Sequence, residues 1–272
     1  MIEVMELVKS AILGVIQGIT EWLPISSTGH MILVNEFLHL KGSDNFINTY
    51  LVLVQLGSIL AVVVLYFKKL WPFSFKNSKK ENKKIWTLWF KILVACIPAG
   101  IVGLLFDDLI DQYFYNPFVI AFALIIVGVG FLVFESLHIA KTIQSLEDID
   151  FLTAFEIGAF QMMALIPGTS RSGSTIMGGS VLGCTRQTIS EFSFFVAIPV
   201  MVGASGLKIL KCGFDFTMAQ WVTMAVGFVV AFVVSLFAIK FLTNYIKKHD
   251  FKAFGIYRII LGIAVILYFY VF

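Results

Sequence analysis

The hydrophobic positions of this chain fall into long uninterrupted runs. A helix needs about 20 predominantly apolar residues to cross the hydrocarbon core of a bilayer, and six runs approach or reach that length. We therefore predict six spanning helices. They lie near residues 46–67, 85–106, 117–137, 190–210, 218–239 and 253–272.

Two shorter apolar stretches each lead into a loop rich in hydroxyl residues, at positions 17–30 and 167–175. Hydrocarbon offers no partners to polar groups, so such loops persist at membrane depth only where they are buried in protein or line a wet cavity. The pattern predicts two re-entrant helical hairpins. Their descending arms are residues 4–20 and 151–166, and their returning arms are residues 31–40 and 176–183.

The two loops look like copies of one another. Glycine precedes glutamine by three positions in both, at Gly14 and Gly158, and a serine lies three positions after a proline in both, at Ser27 and Ser170. Aligning them requires a one-residue gap. Each half, approximately 1–140 and 150–272, would hold one hairpin and three spanning helices. Because three is an odd number of crossings, the second half would be inverted relative to the first.

Composition places the chain among polytopic all-α membrane proteins, since 59% of its residues are hydrophobic and only 14% are charged. Residues 68–84 hold seven lysines against one glutamate, and residues 240–252 hold four more lysines. The positive-inside rule predicts that both loops are cytoplasmic. The short connection after residue 106 carries Asp107, Asp108 and Asp111 and would lie outside.

Glu21 is a carboxylate in apolar surroundings, so it needs a cation or a hydrogen-bond donor. It follows Gln17 by four positions, which places the two side chains on one face of a helix. A divalent ion or a proton is the usual counterpart of an intramembrane carboxylate. A structural pair with a lysine or with backbone amides is the alternative.

The first loop also carries a candidate nucleophile. Ser27 and His30 are close enough in sequence for the hydroxyl to reach the imidazole across the turn, which is the general form of a nucleophile with its base. The alternative function of these hydroxyls is to cap the helix that follows. We favour the cap for Ser26 and Thr28 and chemistry for Ser27.

The second loop resembles an anion cradle around Arg171, with Gly168, Gly173 and several hydroxyls on either side. Arg171 is one of three arginines in the chain, against seventeen lysines, which fits a need for bidentate binding. A purely structural arginine that binds loop carbonyls is the alternative. The glycine spacing does not match a P-loop.

At these residues the chain resembles a known family. The Gln-x-x-x-Glu, Ser-Ser-Thr-Gly-His and Pro-Gly-x-Ser-Arg-Ser-x-x-Thr segments look like the signatures of bacterial undecaprenyl-pyrophosphate phosphatases of the bacitracin-resistance type. Chain length, helix count and motif positions also agree. The family often has glutamate where Gln17 stands, so a metal here would have one fewer candidate carboxylate.

The resemblance implies hydrolysis of undecaprenyl pyrophosphate to undecaprenyl phosphate and inorganic phosphate. Ser27 would attack the terminal phosphorus with His30 as base, although direct attack by His30 remains open. Glu21, with Gln17, would hold a divalent cation such as Mg²⁺ or Ca²⁺, and Arg171 would neutralise charge in the transition state. The remaining phosphate-binding residues would be Ser26, Thr28, Gly168, Ser170, Ser172 and Thr175.

The expected location is the bacterial plasma membrane, with the site opening toward its outer face. The expected partners are the polyprenyl pyrophosphate substrate and the bilayer, with a homodimer as one option and no nucleic acid. Inverted repeats around a midplane site are also the architecture of secondary transporters. A transporter or flippase for a polyprenyl phosphate or another anion is therefore the alternative function, but it would not need a nucleophile and a base.

Overall fold

The computed structural model describes residues 3–74, 78–114, 116–137, 139–213 and 215–270. Residues 75–77 of the first lysine-rich loop lie outside this description, as do the side chains of Asp107, Asp108 and Asp111. Within the described ranges the chain forms eleven α-helices and one short 3₁₀-helix. These are α1 (Val4–Thr20), α2 (Ser27–Leu38), α3 (Asp44–Leu65), α4 (Phe67–Leu70), α5 (Lys79–Phe114), α6 (Pro117–Ser136), α7 (Phe151–Gln161), the 3₁₀-helix Met162–Leu165, α8 (Arg171–Val181), α9 (Arg186–Cys212), α10 (Met218–Tyr245) and α11 (Lys252–Tyr270).

The six predicted spanning helices are confirmed as α3, α5, α6, α9, α10 and α11, each long and apolar enough to cross a membrane. Large apolar side chains on their outer faces are exposed, for example Leu105 (70%) and Leu210 (79%). Such a surface requires an apolar solvent. The protein is therefore a multi-pass membrane protein.

Capping residues set the helix ends where the sequence prediction was too short. α9 begins four residues before the predicted start because the Thr185 side chain accepts a hydrogen bond from the Thr188 amide. α5 continues to Phe114, and Asn116 then caps α6, whose first residue is Pro117. Proline suits this first position because its missing N–H would have no intrahelical acceptor there.

The two predicted hairpins are helix-loop-helix units, α1 with α2 and α7 with α8. Their second helices begin at Ser27 and Arg171, four and five residues before the predicted starts, because Ser26 and Ser170 cap them. Ser27, Thr28, Ser172 and Thr175 consequently lie within helices and not in loops. Their entry into the membrane as re-entrant hairpins remains a prediction.

Helix packing repeats between the two halves. α1 packs on α10 as α7 packs on α5, and α3 packs on α10 as α9 packs on α5. The equivalent helices α3 and α9 also pack on each other, as do α6 and α11. A Cβ on Gly14 would lie 2.7 Å from the Gly227 carbonyl oxygen on α10. A Cβ on Gly158 would collide in the same way with the Ala95 carbonyl on α5. Equivalent glycines thus permit equivalent close helix contacts.

The structure corrects the alignment of the two loops. Ser170 is the counterpart of Ser26, because both cap a helix with the same positive φ. Their separation equals that between Gly14 and Gly158, so no gap is needed. The predicted pairing of Ser27 with Ser170 was wrong by one position. It relied on the distance from the preceding proline to the serine, which differs between the loops, whereas the two cap serines occupy equivalent positions.

Candidate active site

A serine with strained backbone begins the second helix of each hairpin. Ser26 has φ 74° and ψ 93°, and Ser170 has φ 74° and ψ 125°, in a region that residues with a Cβ seldom occupy. Each hydroxyl accepts a hydrogen bond from the amide three residues later, at Gly29 (3.3 Å) and Gly173 (3.1 Å). Strain of this kind costs about 1–3 kcal/mol per residue and clusters at functional sites. Both loops therefore have the backbone signature of a binding or catalytic site.

The N-termini of α2 and α8 meet at a cavity of about 80 Å³. Backbone amides in the first helical turn lack intrahelical acceptors, and the positive end of the helix dipole attracts anions. Two such ends at one cavity form a site for a strongly negative group. The polar side chains of the lining are Glu21, Ser26, Ser27, Thr28, Gln55, Ser170 and Arg171.

Glu21 is the central acceptor of this site and is 3% exposed. Its Oε2 accepts hydrogen bonds from the Ser27 hydroxyl (2.8 Å) and from the Gln17 side-chain amide (2.9 Å). Its Oε1 accepts one from the Arg171 guanidinium (2.9 Å). The predicted Gln17–Glu21 helix face is present, and the carboxylate connects it to the first residues of α2 and α8.

Arg171 is held in one orientation by contacts on three sides. Besides Glu21, its guanidinium donates to the carbonyl (2.8 Å) and the hydroxyl (3.2 Å) of Ser193 and lies over the Trp22 ring, 5.9 Å from the centroid. Its buried Nε has no partner among the described residues. Thr175 supports this arrangement, because its hydroxyl lies 2.6 Å from that of Ser193. A fixed guanidinium at a helix N-terminus can bind and orient phosphate oxygens.

His30 is oriented away from the contact that the sequence suggested. Its Nδ1 lies 2.7 Å from the Ser26 carbonyl, and its Nε2 lies 2.7 Å from the Tyr257 hydroxyl. Because a carbonyl can only accept, Nδ1 carries the proton, and the Tyr257 hydroxyl donates to Nε2 when the ring is neutral. The Ser27 hydroxyl donates to Glu21 and not to this ring.

Two residues of α11 that were not predicted as site residues form hydrogen bonds with the hairpins. Tyr257 orients His30. Arg258 is fully buried and donates to the Pro24 carbonyl of the first loop (3.0 Å). It also donates to the carbonyls of Gly168 (2.7 Å) and Thr169 (2.9 Å) in the second loop. One guanidinium therefore links both loops. Arg258 could have been identified from the sequence, because it is an arginine inside an apolar span and intramembrane charges have functional partners by default.

The other predicted residues also lie in this cluster. Ser172 donates to backbone carbonyls of the first loop, at Glu21 and Leu23, and its hydroxyl lies 3.1 Å from that of Ser170. Gly168 adopts φ +97°, which a side chain would strain, and its carbonyl binds Arg258. Thr28 lines the cavity.

Comparison with known proteins identifies the family of the chain. The family model described as "Bacitracin resistance protein BacA" matches residues 10–264. The chain belongs to the BacA family. It is 53% identical to a protein named undecaprenyl-diphosphatase from Acetivibrio thermocellus, over 97% of this chain and 98% of that protein. It is also 53% identical to undecaprenyl-diphosphatase 1 from Clostridioides difficile, over 98% of this chain and 97% of that protein. It is 52% identical to an undecaprenyl-diphosphatase from Enterococcus faecalis, over 98% of each chain.

The BacA match contains both loops and every residue of the candidate site described above. A divalent cation at this site would find few protein ligands. Among the described residues, no group of three or more His, Cys, Asp or Glu side chains could hold a metal ion. Glu21 and Gln17 nonetheless suit the manner in which Mg²⁺ binds through one or two carboxylates together with substrate phosphates and water.

Proposed function

We propose that this protein hydrolyses undecaprenyl pyrophosphate to undecaprenyl phosphate and inorganic phosphate, recycling the lipid carrier of cell-wall synthesis and so conferring bacitracin resistance. The names of its full-length relatives support this substrate. The observation that carries the reaction is the Ser27 hydroxyl, which donates to a buried carboxylate beside a fixed guanidinium. A transporter would not need a hydroxyl prepared in this way.

The size of the cavity indicates which part of the substrate enters it. Its volume of about 80 Å³ is far below the roughly 300–1,000 Å³ of pockets that enclose whole small molecules. The terminal phosphate would therefore enter between the ends of α2 and α8. The polyprenyl chain would stay outside, against the apolar surfaces of the helices.

In the first step Ser27 Oγ attacks the terminal phosphorus. The new bond joins Oγ to phosphorus, the bridging P–O bond breaks, and undecaprenyl phosphate leaves. The hydroxyl proton passes to Glu21 Oε2, the atom to which it is already hydrogen-bonded at 2.8 Å. Protonation cancels the charge that Arg171 pairs with, so the guanidinium becomes free to neutralise phosphate oxygens as the transition state forms.

In the second step water attacks the phosphoserine. The Oγ–phosphorus bond breaks, Ser27 regains its proton from Glu21, and phosphate leaves with both hydrogens of the water. The role of His30 as base is the alternative assignment. It would require the ring to give up its contacts with Ser26 and Tyr257 before it reached Ser27.

A divalent cation, Mg²⁺ or Ca²⁺, forms part of this proposal. Glu21, through Oε1, and Gln17, through its side-chain carbonyl, would hold it beside the pyrophosphate oxygens, which leaves Glu21 Oε2 to accept the Ser27 proton. When bound, such an ion neutralises negative charge on the phosphates.

The lysine-rich loops support a plasma-membrane orientation in which they are cytoplasmic and the site opens outward. The proposed oligomeric state is a homodimer. Phosphate release from undecaprenyl pyrophosphate by the purified protein tests the function, with Ser27→Ala as the inactive control. Movement of the lipid across proteoliposomes without phosphate release would favour the transporter instead.

A further inference from the structure

A second cavity, larger than the one at the candidate active site, lies apart from it. It is a cleft of about 920 Å³ between α4 and the start of α5 on one side and the 144–147 loop and the start of α9 on the other. Its lining shares no residue with the catalytic cavity. We call it the lysine cleft, after the lysines in its lining: Lys68, Lys69, Lys80, Lys83, Lys84 and Lys91.

The lysine cleft has an excess of positive charge. Six lysines line it, against the three carboxylates of Glu81, Glu147 and Glu191. Two of these carboxylates form ion pairs with lysines across the cleft, Lys69 with Glu191 (2.6 Å) and Lys84 with Glu147 (2.8 Å). The third, Glu81, accepts a hydrogen bond from the Ser78 amide at the start of α5. Lys68, Lys80 and Lys83 are exposed, and their ammonium groups form no ion pair or hydrogen bond with the described residues.

Lys91 adds a buried ammonium to the same cleft. The residue is only 7% exposed, and its Nζ donates to the carbonyls of Leu146 (3.3 Å) and Glu147 (3.0 Å). An ammonium has three N–H donors, so one remains for a ligand. A buried charge bound only by carbonyls is stabilised further by an anion.

A continuous row of exposed aromatic rings lies beside these lysines. Neighbouring ring centroids are 5.4–6.4 Å apart, and each side chain is 43–60% exposed. Exposed tryptophan rings near the ends of spanning helices mark the membrane–water interface, and two of the five rings are tryptophans. The row therefore places the lysines at the depth of lipid headgroups. It consists of Phe67, Trp71, Phe73, Trp86 and Phe90.

We propose that the lysine cleft binds the headgroup of an anionic phospholipid. Lys68, Lys80, Lys83 and Lys91 would hold the phosphate, while the aromatic row contacts the glycerol and the first methylenes of the acyl chains. The lipid phosphate supplies the negative charge that the cleft lacks, and the rings supply a surface that a free anion would not use. This proposal does not depend on the phosphatase activity.

An aromatic layer keeps this lipid apart from the catalytic cavity. Lys69 lies 5.8 Å from the Tyr66 ring centroid, which is followed by Phe194 at 6.3 Å and then by Trp22 at 5.4 Å. Trp22 and Phe194 are almost completely buried, so the layer closes the direct path to Arg171. Lipid binding and substrate binding can therefore be measured independently.

The test measures binding of dihexanoyl phosphatidylglycerol to the full-length protein in a zwitterionic detergent, with dihexanoyl phosphatidylcholine as the comparison of zero net charge. The cleft variant combines Lys68→Gln, Lys80→Gln and Lys83→Gln. Each lysine near a lipid surface contributes about fivefold in affinity, so the triple variant should bind phosphatidylglycerol about 100-fold more weakly. Its phosphatase activity should be unchanged, which also shows that it folds.

A matched control removes the same charge elsewhere, with Lys240→Gln, Lys247→Gln and Lys248→Gln. It should bind phosphatidylglycerol within about threefold of wild type. Equal weakening in both triple variants would show a diffuse charge effect and overturn the site. The site would also be overturned if the cleft variant bound phosphatidylglycerol with wild-type affinity, or if the wild-type protein bound phosphatidylcholine as tightly as phosphatidylglycerol.

Glycerol phosphate distinguishes a lipid from a soluble anion as the occupant. It should bind far more weakly than phosphatidylglycerol, and Trp86→Ala should weaken only the lipid. If glycerol phosphate bound as tightly as the lipid, the cleft would be a soluble-anion site and the lipid assignment would be wrong.

Discussion

Ser27 and Arg171 occupy equivalent positions in the two hairpins and bind opposite oxygens of the same carboxylate. Each is the first residue after a positive-φ cap serine. Ser27 donates to Oε2 of Glu21 and Arg171 to Oε1. The repeat therefore supplies one scaffold with two different groups, a hydroxyl in the first copy and a guanidinium in the second. Glu21 itself has no carboxylate counterpart, since Leu165 stands at the equivalent place.

The neighbouring positions show why His30 need not be a base. Ser174 is the second-copy counterpart of His30, and its hydroxyl donates to the Ser170 carbonyl (2.9 Å). His30 Nδ1 makes the same contact with the Ser26 carbonyl. Both side chains thus stabilise a strained cap. A mechanism with Glu21 as the proton acceptor uses the contacts that the structure shows.

The first prediction separates the two candidate bases. Glu21→Gln keeps the shape of the side chain but cannot accept the Ser27 proton, so we expect turnover to fall by at least about a hundredfold, within the range that general-base catalysis supplies. Tyr257→Phe removes the hydroxyl that orients His30 and should cost about tenfold or less. The measurement is phosphate release from undecaprenyl pyrophosphate between pH 6 and pH 9 at saturating Mg²⁺, so that weaker metal binding does not account for the loss.

A reversed order would favour His30. If Glu21→Gln kept more than a tenth of wild-type turnover while His30→Ala lost nearly all of it, with a residual rate rising with pH, His30 would be the base. Isolation of phosphohistidine would identify direct attack by His30. Isolation of phosphoserine at Ser27 would confirm the present assignment.

The second prediction concerns the divalent cation. Chelation should abolish phosphate release reversibly, and addition of Mg²⁺ or Ca²⁺ should restore it. Glu21→Asp retains a carboxylate but shortens its reach, so it should need a higher metal concentration for half-maximal activity. Full wild-type turnover in excess chelator would exclude the metal and leave Glu21 as a proton acceptor alone.

Sequence patterns predicted the parts of this fold that depend on length and hydropathy. All six spans appeared as apolar runs, because crossing hydrocarbon demands such runs. The loop residues around Glu21 were also identified, because polar side chains in an apolar setting are conspicuous. Arg258 and Tyr257 were missed because their partners lie more than 80 residues away in sequence. The cap register was wrong because it depends on backbone φ, which residue identity does not fix.

The third prediction addresses the helix contacts that the repeat shares. Gly14→Ala and Gly158→Ala should each destabilise the protein by about 1–3 kcal/mol, the usual cost of overpacking, because each new methyl group meets a backbone carbonyl at less than 3.0 Å. Gly203→Ala is the control, since a Cβ there meets nothing within 4 Å. Thermal unfolding in detergent measures all three. Equal melting temperatures would show that these contacts do not limit stability.

The fourth prediction concerns Arg258 as the link between the loops. Arg258→Met removes donors from three buried carbonyls, and an unsatisfied buried group costs about 1–3 kcal/mol. We expect a clearly lower melting temperature together with loss of turnover. Arg258→Lys can satisfy only part of this set, so it should recover much of the stability and less of the activity. Wild-type turnover in Arg258→Met would show that the loops hold their positions without it.

The last prediction tests whether Arg171 acts through its geometry or only through its charge. Its guanidinium contacts Glu21, the Ser193 carbonyl and the Trp22 ring at once, and a lysine cannot reproduce that planar arrangement. Loss of one oriented donor to a developing charge typically costs about 3–4 kcal/mol, or two to three orders of magnitude in rate. We therefore expect Arg171→Lys to insert and melt as wild type does and to lose at least about a hundredfold in turnover.

Ser193→Ala is the matched control for Arg171→Lys, because it removes a side chain that binds Arg171 but leaves the guanidinium in place. Its turnover should fall by less than about tenfold. Turnover of Arg171→Lys within about threefold of wild type would mean that charge alone is sufficient, and loss of folded protein together with activity would favour a structural arginine.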